Sequence, residues 1–179
     1  MDTTKLAYVA EDLIAHKLQN GGILVAKPKF DQLGADLLGF IEVGDDAKLC
    51  RIQCKGRSLR SSRTNITIPA GYATPAFIVF LRVEADDDHE QLYCFFESDI
   101  RTWLKNGKGD YRLSLAKSTY VKALEGNRFG PDKVEKIKQI MKRSNVAVEI
   151  RQLRGFASMR FSVSGTLTDA SSSISARRT

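Results

Sequence analysis

Apolar residues recur at helical spacing from residue 3 to residue 20, where Leu6, Val9, Ala10, Leu13 and Ile14 form one stripe. Asn20-Gly21-Gly22 supplies the stop. A short run, Ile23 to Ala26, predicts a first strand. Asp36–Val43 and Lys48–Lys55 predict two more, joined through Gly44-Asp45-Asp46 as an antiparallel hairpin. Along the second arm, Leu49, Arg51, Gln53 and Lys55 share one face and Cys50, Ile52 and Cys54 the other. Phe77–Val83 and Leu92–Phe96 are dense in β-branched and aromatic residues and predict core strands, with a solvated turn at Asp86-Asp87-Asp88 between them. Ser98-Asp99 predicts the start of a short helix carrying Ile100, Trp103 and Leu104, stopped at Asn106-Gly107. Gly130-Pro131-Asp132 opens another, with Val134, Ile137, Ile140 and Met141 on its apolar side. Val146–Ile150 predicts a further strand. Beyond it, residues 164–179 hold too few apolar side chains to fold and predict a flexible tail.

The chain of 179 residues is long enough to bury a core without disulfide or zinc support, and residues 1–163 are expected to form one domain. Charge is unevenly spread. Residues 1–100 hold 11 Lys and Arg against 15 Asp and Glu, a net of −4, and the remaining 79 hold 17 against 6, a net of +11. A basic segment that could follow a phosphate backbone, beside an acidic one, is the balance expected of a protein acting on nucleic acid. The three cysteines contain no CxxC pair, which argues against a zinc site and for a reducing compartment. With no apolar leader at the N-terminus and no run near the ~20 residues a membrane span needs, a soluble, cytoplasmic protein without membrane partners is expected.

The candidate chemistry lies in the hairpin. Asp36 begins one arm while Gln53 and Lys55 finish the other, so register can bring a carboxylate, an amide oxygen and an ammonium together. Such a set can hold a hard divalent cation and a water, and can balance charge on a phosphate. Glu11, on the flank of the first helical stripe, could point toward the end of the same sheet, whereas Asp12 falls on the solvent side. The stretch after Lys55, with Arg57, Ser58, Arg60 and Arg63, reads as a basic, serine-rich loop able to contact phosphate oxygens. Lys136, on the lysine-rich second long helix, offers further charge. Other chemistries lack their parts: His16 and His89 have no ligand-like partner at usable spacing, and neither a phosphate-binding glycine-lysine loop nor a nucleophile elbow is present.

Glu11, Gly34-Ala35-Asp36-Leu37-Leu38 and Arg51-Ile52-Gln53-Cys54-Lys55-Gly56-Arg57 together resemble the PD-(D/E)XK, or restriction-endonuclease-like, nuclease superfamily over residues 5 to 105. A second polar-x-lysine triplet, Asp46-Ala47-Lys48, sits in the hairpin turn with no preceding strand carboxylate to share an ion. The resemblance implies an α/β fold with a mixed central β-sheet flanked by helices, a Mg²⁺ or Mn²⁺ cofactor, and hydrolysis of DNA, duplex or branched. It also implies roles: Asp36 as main metal ligand, Gln53 at the second ligand position, Lys55 on the attacking water or the developing charge, and Glu11 as the first-helix glutamate. It leaves a homodimer open.

Gln53 departs from the family pattern, which has Glu or Asp there. An amide oxygen can ligate Mg²⁺ but brings no formal charge. The alternative expectation is therefore a catalytically weak or inactive nucleic-acid-binding module on the same fold. A third reading, an interaction protein using Trp103 or Tyr120 surfaces, competes with simple core packing of those rings.

Overall fold

The computed structural model describes residues 3–29, 34–59, 63–84, 90–144, 146–153 and 156–163. In chain order these form α1 (Thr3–Asn20), β1 (Leu24–Ala26), β2 (Leu37–Val43), β3 (Asp46–Ser58), β4 (Arg63–Ile68), β5 (Phe77–Glu84) and β6 (Glu90–Phe95). There follow α2 (Glu97–Ile100), β7 (Leu104–Lys105), β8 (Tyr111–Ala116), α3 (Tyr120–Leu124), α4 (Pro131–Arg143), β9 (Val146–Leu153) and β10 (Phe156–Val163). The expected tail, 164–179, lies outside the described residues.

The central sheet runs β1-β2-β3-β5-β6. It is mixed, because β3 and β5 are parallel while the other pairs on that path are antiparallel. β3 is long enough to serve two further partners in succession. Its first residues, Asp46 to Lys48, pair with β9 of the β9–β10 hairpin, and Arg51 to Ser58 pair with β5.

Each face of this sheet is covered by a different layer. α1 and α4 cover one, where Ile14, Leu18, Ile52, Cys54, Phe80 and Ile137 form a shared cluster. A second, three-stranded sheet of order β4-β8-β7, with α2 and α3, covers the other, and here Phe77, Val79 and Leu81 meet Ile66, Ile68 and Tyr111. The alternation of β5 explains how one strand feeds both clusters. Its side chains point to opposite faces in turn, and Phe77 through Leu81 are all fully buried.

Two expectations change. The hairpin arm does not end at Lys55 but continues to Ser58, since β5 keeps pairing with it as far as Ser58 opposite Glu84. The helix expected through Leu104 stops after a single turn, because Leu104 and Lys105 pair with β8 instead. Trp103 then packs edge-on against Phe95, with ring centroids 5.2 Å apart, and Tyr120 is buried, so both rings serve the core. Strands β4, β8 and β10 were not expected. In β4 and β8 the period-2 signal is carried by few residues, Ile66 and Ile68 in one and Tyr111, Leu113 and Leu115 in the other, within otherwise polar surroundings.

Candidate active site

β2 opens with Leu37 opposite Ile52, and one more ladder bond, from the Asp36 amide to the Ile52 carbonyl at 2.9 Å, carries the pairing to Asp36. Past that point β3 goes on without a β2 partner, so the next amide on this edge, that of Cys54, needs another acceptor. The Asp36 side chain supplies it: Oδ2 accepts the Cys54 N–H at 2.6 Å. The carboxylate is thereby held against the backbone between Gln53 and Lys55. A charge-assisted bond of this kind fixes it more tightly than a neutral pair would.

Gln53 and Lys55 sit opposite Val79 and Leu81 and so lie on the face toward the second sheet. Gln53 is buried, at 8% exposure, and its Oε1 has no hydrogen-bond partner among the described residues. Lys55 is half-buried. Glu11 comes to the same end of the sheet from α1, on the other face. It lines, with Asp36, a cleft of about 300 Å³ whose other walls are Ala7, Tyr8, Lys27, Pro28 and Ala35. The Cys54 thiol registers the whole group: burial pushes it well up, the Asp36 and Glu11 carboxylates push it further, and Lys55 and Lys27 oppose them.

Lys27 escaped the sequence reading. Its ammonium forms an ion pair with Glu11 and lies 4.8 Å from the centre of the Tyr8 ring. Glu11 in turn holds the Lys27 ammonium above the ordinary lysine range. Nothing in the local pattern marks a lysine after a three-residue strand; the pairing depends on how β1 lies beside α1.

Arg51 also escaped notice as more than a strand residue. Its guanidinium donates to Thr74 Oγ1 at 2.9 Å and to the Tyr72 carbonyl at 3.5 Å, and lies over the Phe77 ring. The turn that Arg51 grips presses Tyr72 on Gly34. A Cβ at residue 34 would come within 2.3 Å of that ring, and the backbone there has φ +69°, so glycine is required twice over. Gly34 and Arg51 thus clamp the approach to Asp36 from two sides.

The basic loop is shorter than expected. Arg57 and Ser58 belong to β3 and are half-buried; Arg57 donates to its neighbour's carbonyl, Gly56 O, at 2.8 Å, and burial lowers its pKa. The Ser58 hydroxyl is buried without a partner among the described residues, and Leu59 is in the core. Arg60 lies outside the described residues, and Arg63 is exposed at the start of β4. Lys136 is not brought to this group. It stands on α4, against the opposite face of the sheet, with its ammonium 4.1 Å from the centre of the Phe96 ring.

By chemistry the donors suit a hard cation, with Glu11 coming to this end of the sheet from the face opposite Gln53: a fixed carboxylate at Asp36, an amide oxygen at Gln53 without a partner among the described residues and a second carboxylate at Glu11 are all oxygen ligands of the kind Mg²⁺ takes. Among the described residues no group of three His, Cys, Asp or Glu side chains gathers as a metal cluster.

Neither a protein-family model nor a curated protein matches the sequence. The fold, however, has a counterpart among solved structures: a bacterial homing endonuclease, I-Ssp6803I, superposes with a TM-score of 0.51 at 16% identity. The alignment covers 79% of this chain and 98% of that one. The chain shares that nuclease's α/β fold. Among the described residues no helix is long and apolar enough to cross a membrane.

Proposed function

We propose that this protein is a divalent-metal-dependent endonuclease that hydrolyses DNA phosphodiester bonds, of the PD-(D/E)XK type with glutamine at the second ligand position. The observation that carries the reading is the Asp36–Cys54 hydrogen bond, which holds a carboxylate beside the β3 backbone between Gln53 and Lys55, just past the last β2 pair. Its likeness in fold to a homing endonuclease gives further support. Asp36, Gln53 and Glu11 would hold Mg²⁺ or Mn²⁺. Bound there, the ion would lower the pKa of a water and offset charge on the phosphate. Lys55 would orient that water by hydrogen bonding and donate toward the phosphate oxygen that gains charge. Asp36 would keep its orientation through the Cys54 amide, so that little reorganisation accompanies the reaction.

The test is incubation of supercoiled plasmid, linear duplex and branched DNA with Mg²⁺ or Mn²⁺. Nicking or cutting that needs the metal, and that Lys55→Ala removes without lowering the melting temperature, is the expected result. No cutting of any DNA form with either metal would sink it.

A second reading, a nucleic-acid-binding module with weak or no activity, is favoured by one observation. Lys27 already neutralises Glu11. With Asp36 and Glu11 set against Lys27 and Lys55, the group's formal charge is zero, which weakens the pull on a cation. That module would bind DNA with strong salt dependence, and Asp36→Asn would leave its affinity unchanged.

A further inference from the structure

We propose that the outward face of the β4-β8-β7 sheet reads base pairs in the major groove of duplex DNA. The inference deepens the endonuclease proposal and rests on it for the polymer concerned.

The second sheet is two-sided. Ile66 and Ile68 of β4 and Tyr111 and Leu115 of β8 are buried against the central sheet, whereas Arg63, Asn65, Thr67, Arg112 and Ser114 alternate with them and are exposed. Register sorts the exposed residues into rows. Thr67 lies opposite Arg112, which lies opposite Leu104 on the next strand; Asn65 lies opposite Ser114; Arg63 lies opposite Ala116. None of these seven is acidic, and two are arginines.

Two details set this face apart from an ordinary solvated one. Leu104 is 74% exposed, the most exposed large apolar side chain among the described residues, and it closes the row that holds Arg112 and Thr67. Ser114 donates its hydroxyl to Asn65 Oδ1 at 2.7 Å, which orients the amide rather than leaving it to rotate. The face offers an arginine fork for guanine, an oriented amide for adenine, and methyl groups for thymine, the side-chain chemistry by which base edges are distinguished in the major groove.

The dimensions agree. Six paired residues of β4 and β8 make a ribbon about 20 Å long, and a major groove ~12 Å wide admits a two-stranded ribbon. Lys55 and Arg63 are eight residues apart, so the chain between them spans at most about 29 Å. A turn of duplex is about 34 Å. The start of the face and the candidate site therefore lie within one turn's length of each other.

The experiment is selection from a pool of random-sequence duplexes bound in EDTA, so that nothing is cut. It is run with the full-length wild-type chain and with Asn65→Ala and Arg112→Ala variants whose melting temperatures match it. The wild type is expected to enrich a motif, Arg112→Ala to lose roughly 10- to 100-fold of preference at one position, and Asn65→Ala to relax another. The same motif from all three proteins overturns the proposal. So does a wild type that binds duplex without enriching any motif, while metal-dependent cutting of plasmid by that same preparation leaves the endonuclease reading standing. Absence of both binding and cutting ends both.

Discussion

The two faces of β3 differ although they belong to one backbone. Toward α1 and α4 it presents Cys50, Ile52 and Cys54, all buried in a closed apolar cluster; toward the second sheet it presents Arg51, Gln53 and Lys55. The closed face needs only volume and shape, so its residues are interchangeable in kind. The polar face carries groups whose burial costs free energy without partners, and a Gln53 oxygen with no partner among the described residues is the sort of cost that function explains and packing does not. Changing the polar side should therefore alter chemistry with little effect on folding. The largest effect is expected from Asp36→Asn. The amide oxygen still accepts the Cys54 N–H, so the melting temperature should hold, yet the lost charge should lower metal-dependent cutting by about 1,000-fold. Equal activity in this variant would remove Asp36 from the chemistry.

A second way to break the contrast is to disturb the approach to Asp36 without touching a candidate metal ligand or Lys55. Gly34→Ala introduces a methyl 2.3 Å from the Tyr72 ring at a backbone angle that disfavours it. A loss of about 2–3 kcal/mol in urea denaturation is expected, with activity falling alongside. Arg51→Ala should loosen the same turn from the other side by about 1 kcal/mol, because its bonds to Thr74 and the Tyr72 carbonyl are part-buried. Undiminished stability in both variants would show that the clamp does not hold the site.

What could be read from the sequence follows the same division. The hairpin, the parity of β3 and the placing of Asp36 beside the β3 backbone were legible, because period-2 alternation and a short turn fix which residues share a face and which strand segments adjoin. α1 was legible for its long stripe and glycine stop, and α4 for Pro131 and its apolar side. Lys27 and Tyr72 were not, since each acts through a partner distant in sequence, Glu11 from α1 and Gly34 before β2. Arg57 and Ser58 misled for a related reason. Their basic, polar character is that of a loop, and only the parallel partner β5, more than 20 residues later, keeps them in a strand.

The closed face can be tested through pH. Burial pushes the Cys50 thiol up to about 12, and raises Cys54 and Cys94 as well. Below an unfolded-chain value of about 8.5 both states keep these protons, and stability is unaffected. Above it the unfolded chain releases them while the folded one does not, so stability falls by about 1.4 kcal/mol per pH unit for each thiol. Urea midpoints at pH 8, 9 and 10 should drop accordingly, and Cys50→Ala should make the decline shallower. A flat profile would mean that the thiols are not closed off.

The smallest effect concerns how the polar side tunes its own charge. Lys27 and Glu11 form an ion pair whose lysine end is half-exposed, so removing the ammonium changes the field at the carboxylates by only about 1 kcal/mol. Lys27→Gln should thus tighten Mn²⁺ binding by about fivefold, read by titrating the free ion in the absence of DNA. Gln53→Glu adds a carboxylate on the other side and should act in the same direction. The two changes touch different ligands, so together they should give roughly the product of their separate effects. If Lys27→Gln leaves the affinity unchanged while Gln53→Glu raises it, then Glu11 takes no part in holding the ion, and the site is built from Asp36 and β3 alone.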